Sequence, residues 1–193
     1  MRSIFAGLAL LAVAGCSYMP LSSMLKLRQF DLMTADARQI RVAVQFPDAM
    51  AVREDGAELM ISVEHAGSGE KLEERFILEQ VSGQGVTPGV ETRPGSHLEV
   101  FRMAEADMER LSALRRTVEG WRATGPDDTK GSLSVGAAGC RRDTLPEGPL
   151  IISTYLRLDE AEEFFAVTRN MNLRTFASDA HLEENSPPCD TLP

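Results

Sequence analysis

Two hydrophobic periods divide this chain, and the first commits much of it to sheet. Ile40, Val42, Val44 and Phe46 alternate with Arg41, Ala43 and Gln45, the two-residue period of a strand with one face buried. Leu59, Ile61 and Val63 alternate in the same way with Glu58, Met60, Ser62 and Glu64. Gly67-Ser68-Gly69 then supplies turn chemistry and Phe76 to Val81 follows as a third apolar run, so 57–81 predicts a hairpin. Turn-rich Ser82-Gly83-Gln84-Gly85 and Thr87-Pro88-Gly89 lead to a fourth strand, His97 to Met103, with Leu98 and Val100 expected inward. Ser132 to Ala137 predicts a short fifth strand and Leu150 to Leu158 a longer sixth.

The period changes once. Met108, Leu111, Leu114, Val118 and Trp121 recur at three- and four-residue steps, which makes one face of a helix over 104–123. Its charges are ordered: Glu105, Asp107 and Glu109 at the start, Arg115, Arg116 and Arg122 towards the end, as the helix macrodipole favours. Gly125-Pro126 stops it. Asp159 can cap a short helix beginning at Glu160, followed by Phe164, Phe165 and Val167. Hairpin-connected strands with a segregated helix predict an α+β fold. The expectation is an antiparallel sheet or small sandwich of about six strands, with helix 104–123 packed on a face. An immunoglobulin-like sandwich is the alternative, though this helix is long for a loop in that fold.

The front of the chain is of a different kind. Arg2 precedes an apolar run from Ile4 to Val13, and Val13-Ala14-Gly15-Cys16 closes it. That run is too short to span a bilayer, which takes about 20 apolar residues. The order of Arg, apolar core and Val-Ala-Gly-Cys resembles the type II signal peptide of bacterial lipoproteins. The resemblance covers residues 1–16 and implies removal of 1–15, with Cys16 acylated as the first residue of the mature chain. Two or more acyl chains anchor stably where one does not, each buried CH₂ contributing about 0.8 kcal/mol. Residue 17 is Ser rather than the Asp that retains such proteins at the inner membrane. The resemblance therefore implies the periplasmic face of the outer membrane. Residues 16–37 form a short membrane-proximal approach and 38–193 a single globular domain. Met24, Leu25, Leu27, Phe30, Leu32 and Met33 make that approach too apolar for a free leash. It is expected to pack on its own domain rather than on lipid.

With Cys16 assigned to lipid, Cys140 and Cys189 remain as an even pair in an oxidising compartment, so a disulfide between them is expected. On the chain-entropy model such a loop is worth roughly 4 kcal/mol. It would tie down a tail, 183–193, that has little apolar content. The formal charge of −9 argues against nucleic acid and against electrostatic docking on anionic lipid.

No catalytic, cofactor or metal set stands out. Ser132-Leu133-Ser134-Val135-Gly136 is one glycine short of a nucleophile elbow, although Asp159 and His181 follow in triad order. Ser68-Gly69-Glu70-Lys71 has the serine–lysine spacing of penicillin-binding enzymes, but sits in an expected turn rather than at a helix start. His65, His97 and His181 lie far apart and lack zinc-ligand spacing. Gly83-Gln84-Gly85 precedes no helix that could hold a phosphate. Glu73-Glu74 and Glu162-Glu163 read as solvated pairs, and Arg141-Arg142 as a local basic spot that could meet an acidic partner.

The expectation is a membrane-anchored envelope protein with a binding or scaffolding domain. Its partners are the membrane, through Cys16, and a protein of the envelope. The alternatives are a periplasmic serine hydrolase using Ser134 or Ser68, and a small-ligand or lipid-binding module with a pocket between sheet and helix.

Overall fold

The computed structural model describes residues 18–81, 87–91, 93–125 and 128–191. The expected signal peptide with Cys16, and Ser82-Gly83-Gln84-Gly85, lie outside the described residues. Seven described strands, β1 (Arg41–Pro47), β2 (Met50–His65), β3 (Glu70–Gln80), β4 (Ser96–Met103), β5 (Thr129–Arg141), β6 (Ile151–Arg157) and β7 (Phe165–Asn172), form one sheet. Its order is β5-β2-β3-β4-β1-β6-β7, and every neighbouring pair is antiparallel. The helices are α1 (Leu21–Gln29), α2 (Met108–Thr124) and α3 (Asp179–Asn185). The architecture is thus antiparallel α+β, with one sheet where a sandwich would need two.

The sheet curls, so side chains from all seven strands reach one apolar cluster. Val42, Val44 and Phe46 of β1 meet Leu59 and Ile61 of β2, Phe76 of β3, Phe101 and Met103 of β4, Ile152 and Leu156 of β6 and Val167 of β7, with Leu133 and Val135 of β5 against them. Leu111, Leu114 and Val118 of α2 are buried in the same cluster, with Met108 and Trp121 at its margin. Burying each such aliphatic side chain contributes about 1.5–3 kcal/mol.

The hairpin over 57–81 forms as β2–β3, with Gly69 in the left-handed region (φ 75°) at its turn. Strand β2 runs longer than its alternation suggests because it crosses an irregularity. Its pairing with β5 shifts between Val52 and Ala57, and Asp55 has a positive φ of 55°. Gly56 is required there: a Cβ would lie 2.5 Å from the Ala138 carbonyl oxygen.

Three sequence expectations fail for one reason, a second apolar layer on the outer face of the sheet. Ala43 and Tyr155 pack there with Phe164 and Ala166, against Val90, Leu98 and Val100. Strand β1 is consequently buried on both faces rather than half-buried, with Ala43 and Gln45 closed in as fully as Val42 and Val44. Gln45 is accommodated because its amide donates to the Glu91 carbonyl and to Ser96 Oγ, both at 3.1 Å, and its Oε1 accepts from Tyr155. In β4, Leu98 and Val100 face this outer layer, while Phe101 and Met103 face the main core. The segment after Asp159 forms no helix. Asp159 Oδ1 accepts from the Ala161 amide in a turn, and β7 begins at Phe165. Phe164 then serves the outer layer and Phe165 the main core, an alternation only an extended chain provides.

The ends of the sheet are drawn together by the tail. After β7 the chain passes through α3, and the Arg141 amide of β5 donates to the Pro187 carbonyl at 2.8 Å. Arg141 and Pro188 form a parallel bridge. Cys140, also on β5, is joined to Cys189, with an S–S distance of 2.07 Å and Cα atoms 5.0 Å apart.

Candidate functional site

A cleft of about 490 Å³ opens between the 27–33 segment, α2 and the β5 end of the sheet. Ile61 and Val63 of β2 and Val118 of α2 lie behind it, closed in the main core, and Leu133 of β5 with Leu27, Phe30, Leu32 and Met33 forms its more open walls. This volume suits a small ligand or an acyl chain. Six of its fifteen lining residues are polar: Arg28, Asp31, Ser62, Arg122, Thr129 and Ser132.

Each wall has a local cause. Strand alternation aims Ile61 and Val63 inward while Ser62 and Glu64 face out. Helix spacing puts Val118 on the stripe with Leu111 and Leu114. The 27–33 wall and the chain just after it are tied to α2 and the turn before it by three polar links. Arg115 donates to the Ala35 carbonyl at 2.5 Å, Arg122 pairs with Asp31 at 3.6 Å, and Arg38 pairs with Glu105 at 2.6 Å. The Arg38 hydrogen bond holds the Glu105 carboxyl below its usual range.

Gly131 lines the cleft from β5, and a Cβ there would meet only the Ser62 carbonyl oxygen at 4.0 Å. A side chain at this position would therefore extend without backbone conflict.

A second polar constellation joins the sheet to the disulfide region. Glu99, 6 % exposed, accepts from His97 Nε2 at 2.9 Å, from Arg142 at 3.1 Å and from the Val52 amide at 3.2 Å. The Arg142 amide also donates to the Ala49 carbonyl at 2.8 Å. This is a latch between the β1–β2 turn, β4 and the end of β5. Its only sequence signal was a glutamate set among the apolar residues of β4.

The catalytic candidates are not assembled into a working set. Ser134 lies in mid-β5 opposite Met60, not on a turn between strand and helix. It shares no hydrogen bond with Asp159 or with His181, which pairs with Glu184 on α3. Ser68 does meet a histidine: its Oγ is 2.7 Å from His65 Nδ1. Ser68 also donates to Glu70 Oε2 at 2.8 Å. The serine proton is thereby committed to the carboxylate, and His65 Nδ1–H donates into the serine oxygen, the reverse of nucleophile activation. The His65 ring stacks on Trp121, and its Nε2 is buried without a partner. Lys71 reaches Glu73 at 2.8 Å rather than Ser68, and that hydrogen bond raises its pKa.

Arg141 and Arg142 are used internally, Arg141 Nε donating to the Ser186 carbonyl at 2.7 Å. Glu74 pairs with Arg110 at 2.6 Å. Among the described residues no group of three or more His, Cys, Asp or Glu side chains is placed to hold a metal ion. No helix among them is long and apolar enough to cross a membrane. Comparison with protein families, with curated proteins and with solved structures returns no match.

Proposed function

We propose that the chain is an envelope lipoprotein, held by acylated Cys16 at the periplasmic face of the outer membrane, whose domain binds without catalysing. The binding site is the cleft, and the ligand class is an acyl chain or comparable apolar molecule with an anionic end. The observation that carries this reading is the cleft between sheet, α2 and the 27–33 segment. Val118 of α2 stands on one side of it, and Arg122 is the lining cation for an anionic end. Removing tail CH₂ groups from water drives such binding, at about 0.8 kcal/mol each.

The test uses the full chain in vesicles containing a photoactivatable palmitate. Crosslinks are expected on 61–63 and 129–133, the inner walls, and Gly131→Phe should reduce them several-fold without loss of fold. Crosslinks absent from both strands, or unchanged by Gly131→Phe, would contradict the reading.

A second reading, a protein partner, is favoured by the position of β5. It ends the sheet order, and Lys130, Ser132 and Ser134 are exposed along it. An extended segment of an envelope protein could add to that edge. Crosslinking from position 134 in intact envelopes would capture it.

A further inference from the structure

The burial pattern of the domain inverts at α1. Among the described residues four large apolar side chains are exposed: Leu21 (79 %), Leu25 (60 %), Phe176 (56 %) and Met24 (44 %). Three of them stand on α1 at the spacing that makes one helix face, and Arg28, seven residues beyond Leu21, falls on the same stripe. The fourth, Phe176, lies edge-on to Tyr18 with ring centroids 5.8 Å apart, so it borders the start of the same segment. The opposite face attaches α1 to the domain, with Ser23 buried and Leu27 and Phe30 packed against the main core. A helix resting on a soluble domain turns its apolar face inward. This one turns three large apolar side chains outward. It also contains no acidic residue and carries Lys26 and Arg28, in a chain of formal charge −9.

We propose that this face, Leu21, Met24 and Leu25 bordered by Tyr18 and Phe176, is a membrane-seating surface that lies in the bilayer interface. The inference rests on the reading of Cys16 as acylated. Only Ser17 separates Cys16 from Tyr18. Two extended residues reach about 7 Å, so the acyl chains enter the bilayer beside α1. A helix lying flat there sinks its apolar face into the boundary between headgroups and chains. Arg28 meets lipid phosphate, and the absence of acids on α1 avoids the repulsion that the rest of the chain would feel from anionic lipid. Because the anchor already confines the domain, this second attachment is intramolecular in effect, and a small patch suffices. Leu27 and Phe30 on the inner side of the same segment front the cleft. Seating α1 would therefore place the cleft within about one helix diameter, 10–12 Å, of lipid.

The test is fluorescence quenching on the full chain, purified from membranes and reconstituted into phosphatidylethanolamine–phosphatidylglycerol vesicles. Trp121→Phe removes the native indole, and Leu25→Trp places one on the exposed face, where folding is indifferent to it. Vesicles brominated on the acyl chains should quench the introduced indole by about twofold or more relative to unbrominated ones, with a blue-shifted emission. Mass analysis of the same sample reads acylation of Cys16, and flotation reads attachment. An acylated, floating chain whose indole is neither quenched nor shifted overturns the seating surface and leaves the anchor standing. An unacylated chain that still floats and is quenched upholds the surface and overturns the anchor. An unacylated chain that does not float overturns both.

Discussion

Helices α1 and α2 spend their apolar residues in opposite ways. In α2, Leu111, Leu114 and Val118 are buried in the core, and exposed positions such as Glu109, Arg116 and Glu119 are polar. In α1, Ser23 is the buried residue, while Leu21, Met24 and Leu25 face out. Apolar content thus measures a need for cover without saying who supplies it. For α2 the domain supplies it. For α1 the described residues leave Leu21, Met24 and Leu25 uncovered, and on the proposed reading a bilayer would supply that cover.

The contrast can be broken by mutation. The largest expected effect is at Leu111, 2 % exposed, where Leu111→Ala should lose about 2–5 kcal/mol in urea unfolding as a cavity opens in the core. Removing the disulfide as Cys140→Ser with Cys189→Ser should cost roughly 2–4 kcal/mol. Amide exchange should then rise around 183–191 before it rises in either helix, since the bridge ties the tail to β5. Leu25→Ala, at the same type of residue as Leu111, should move unfolding by no more than about 0.5 kcal/mol away from lipid. A loss at Leu25 comparable to that at Leu111 would mean that α1 is covered by the domain after all.

The smallest effect concerns the link between Arg38, ahead of β1, and Glu105, ahead of α2. Arg38 depresses the Glu105 carboxyl, chiefly through their hydrogen bond. Because the folded value is the lower one, the stabilisation is present above the ordinary glutamate range. It is lost as pH falls through the depressed value. Arg38→Ala should return the Glu105 midpoint upward in a carbon-detected NMR titration, with little change in stability because both groups are exposed.

Much of this frame is legible in sequence wherever one period meets one buried face. The alternation of Leu59, Ile61 and Val63 marks the β2–β3 hairpin, and the stripe from Met108 to Trp121 marks α2. The cysteine pairing follows from the count once Cys16 is set aside. Legibility fails where a strand is covered twice. Ala43 and Gln45 read as an outer face because nothing local announces the layer formed by Tyr155, Phe164 and Ala166. The acids from Glu160 to Glu163 imitate a helix start, although Phe164 and Phe165 serve opposite faces. The cleft is illegible for a different reason. Its walls come from 27–33, 61–63, 118–122 and 129–133, and only the closing of the sheet brings them together. For 24–33 the choice between packing on the domain and lying on lipid has no single answer. Leu27, Phe30, Leu32 and Met33 pack against the core, while Met24 and Leu25 do not.

The most direct test needs no substitution. Met24 is exposed, whereas Met60, Met108 and Met171 are half-buried. A water-soluble oxidant should therefore attack Met24 first in the bare domain. In the full chain on vesicles, peptide-level footprinting should show the order inverted, with Met24 oxidised more slowly than Met60 or Met108. Met24 remaining the fastest-oxidised of these methionines on vesicles would contradict the account.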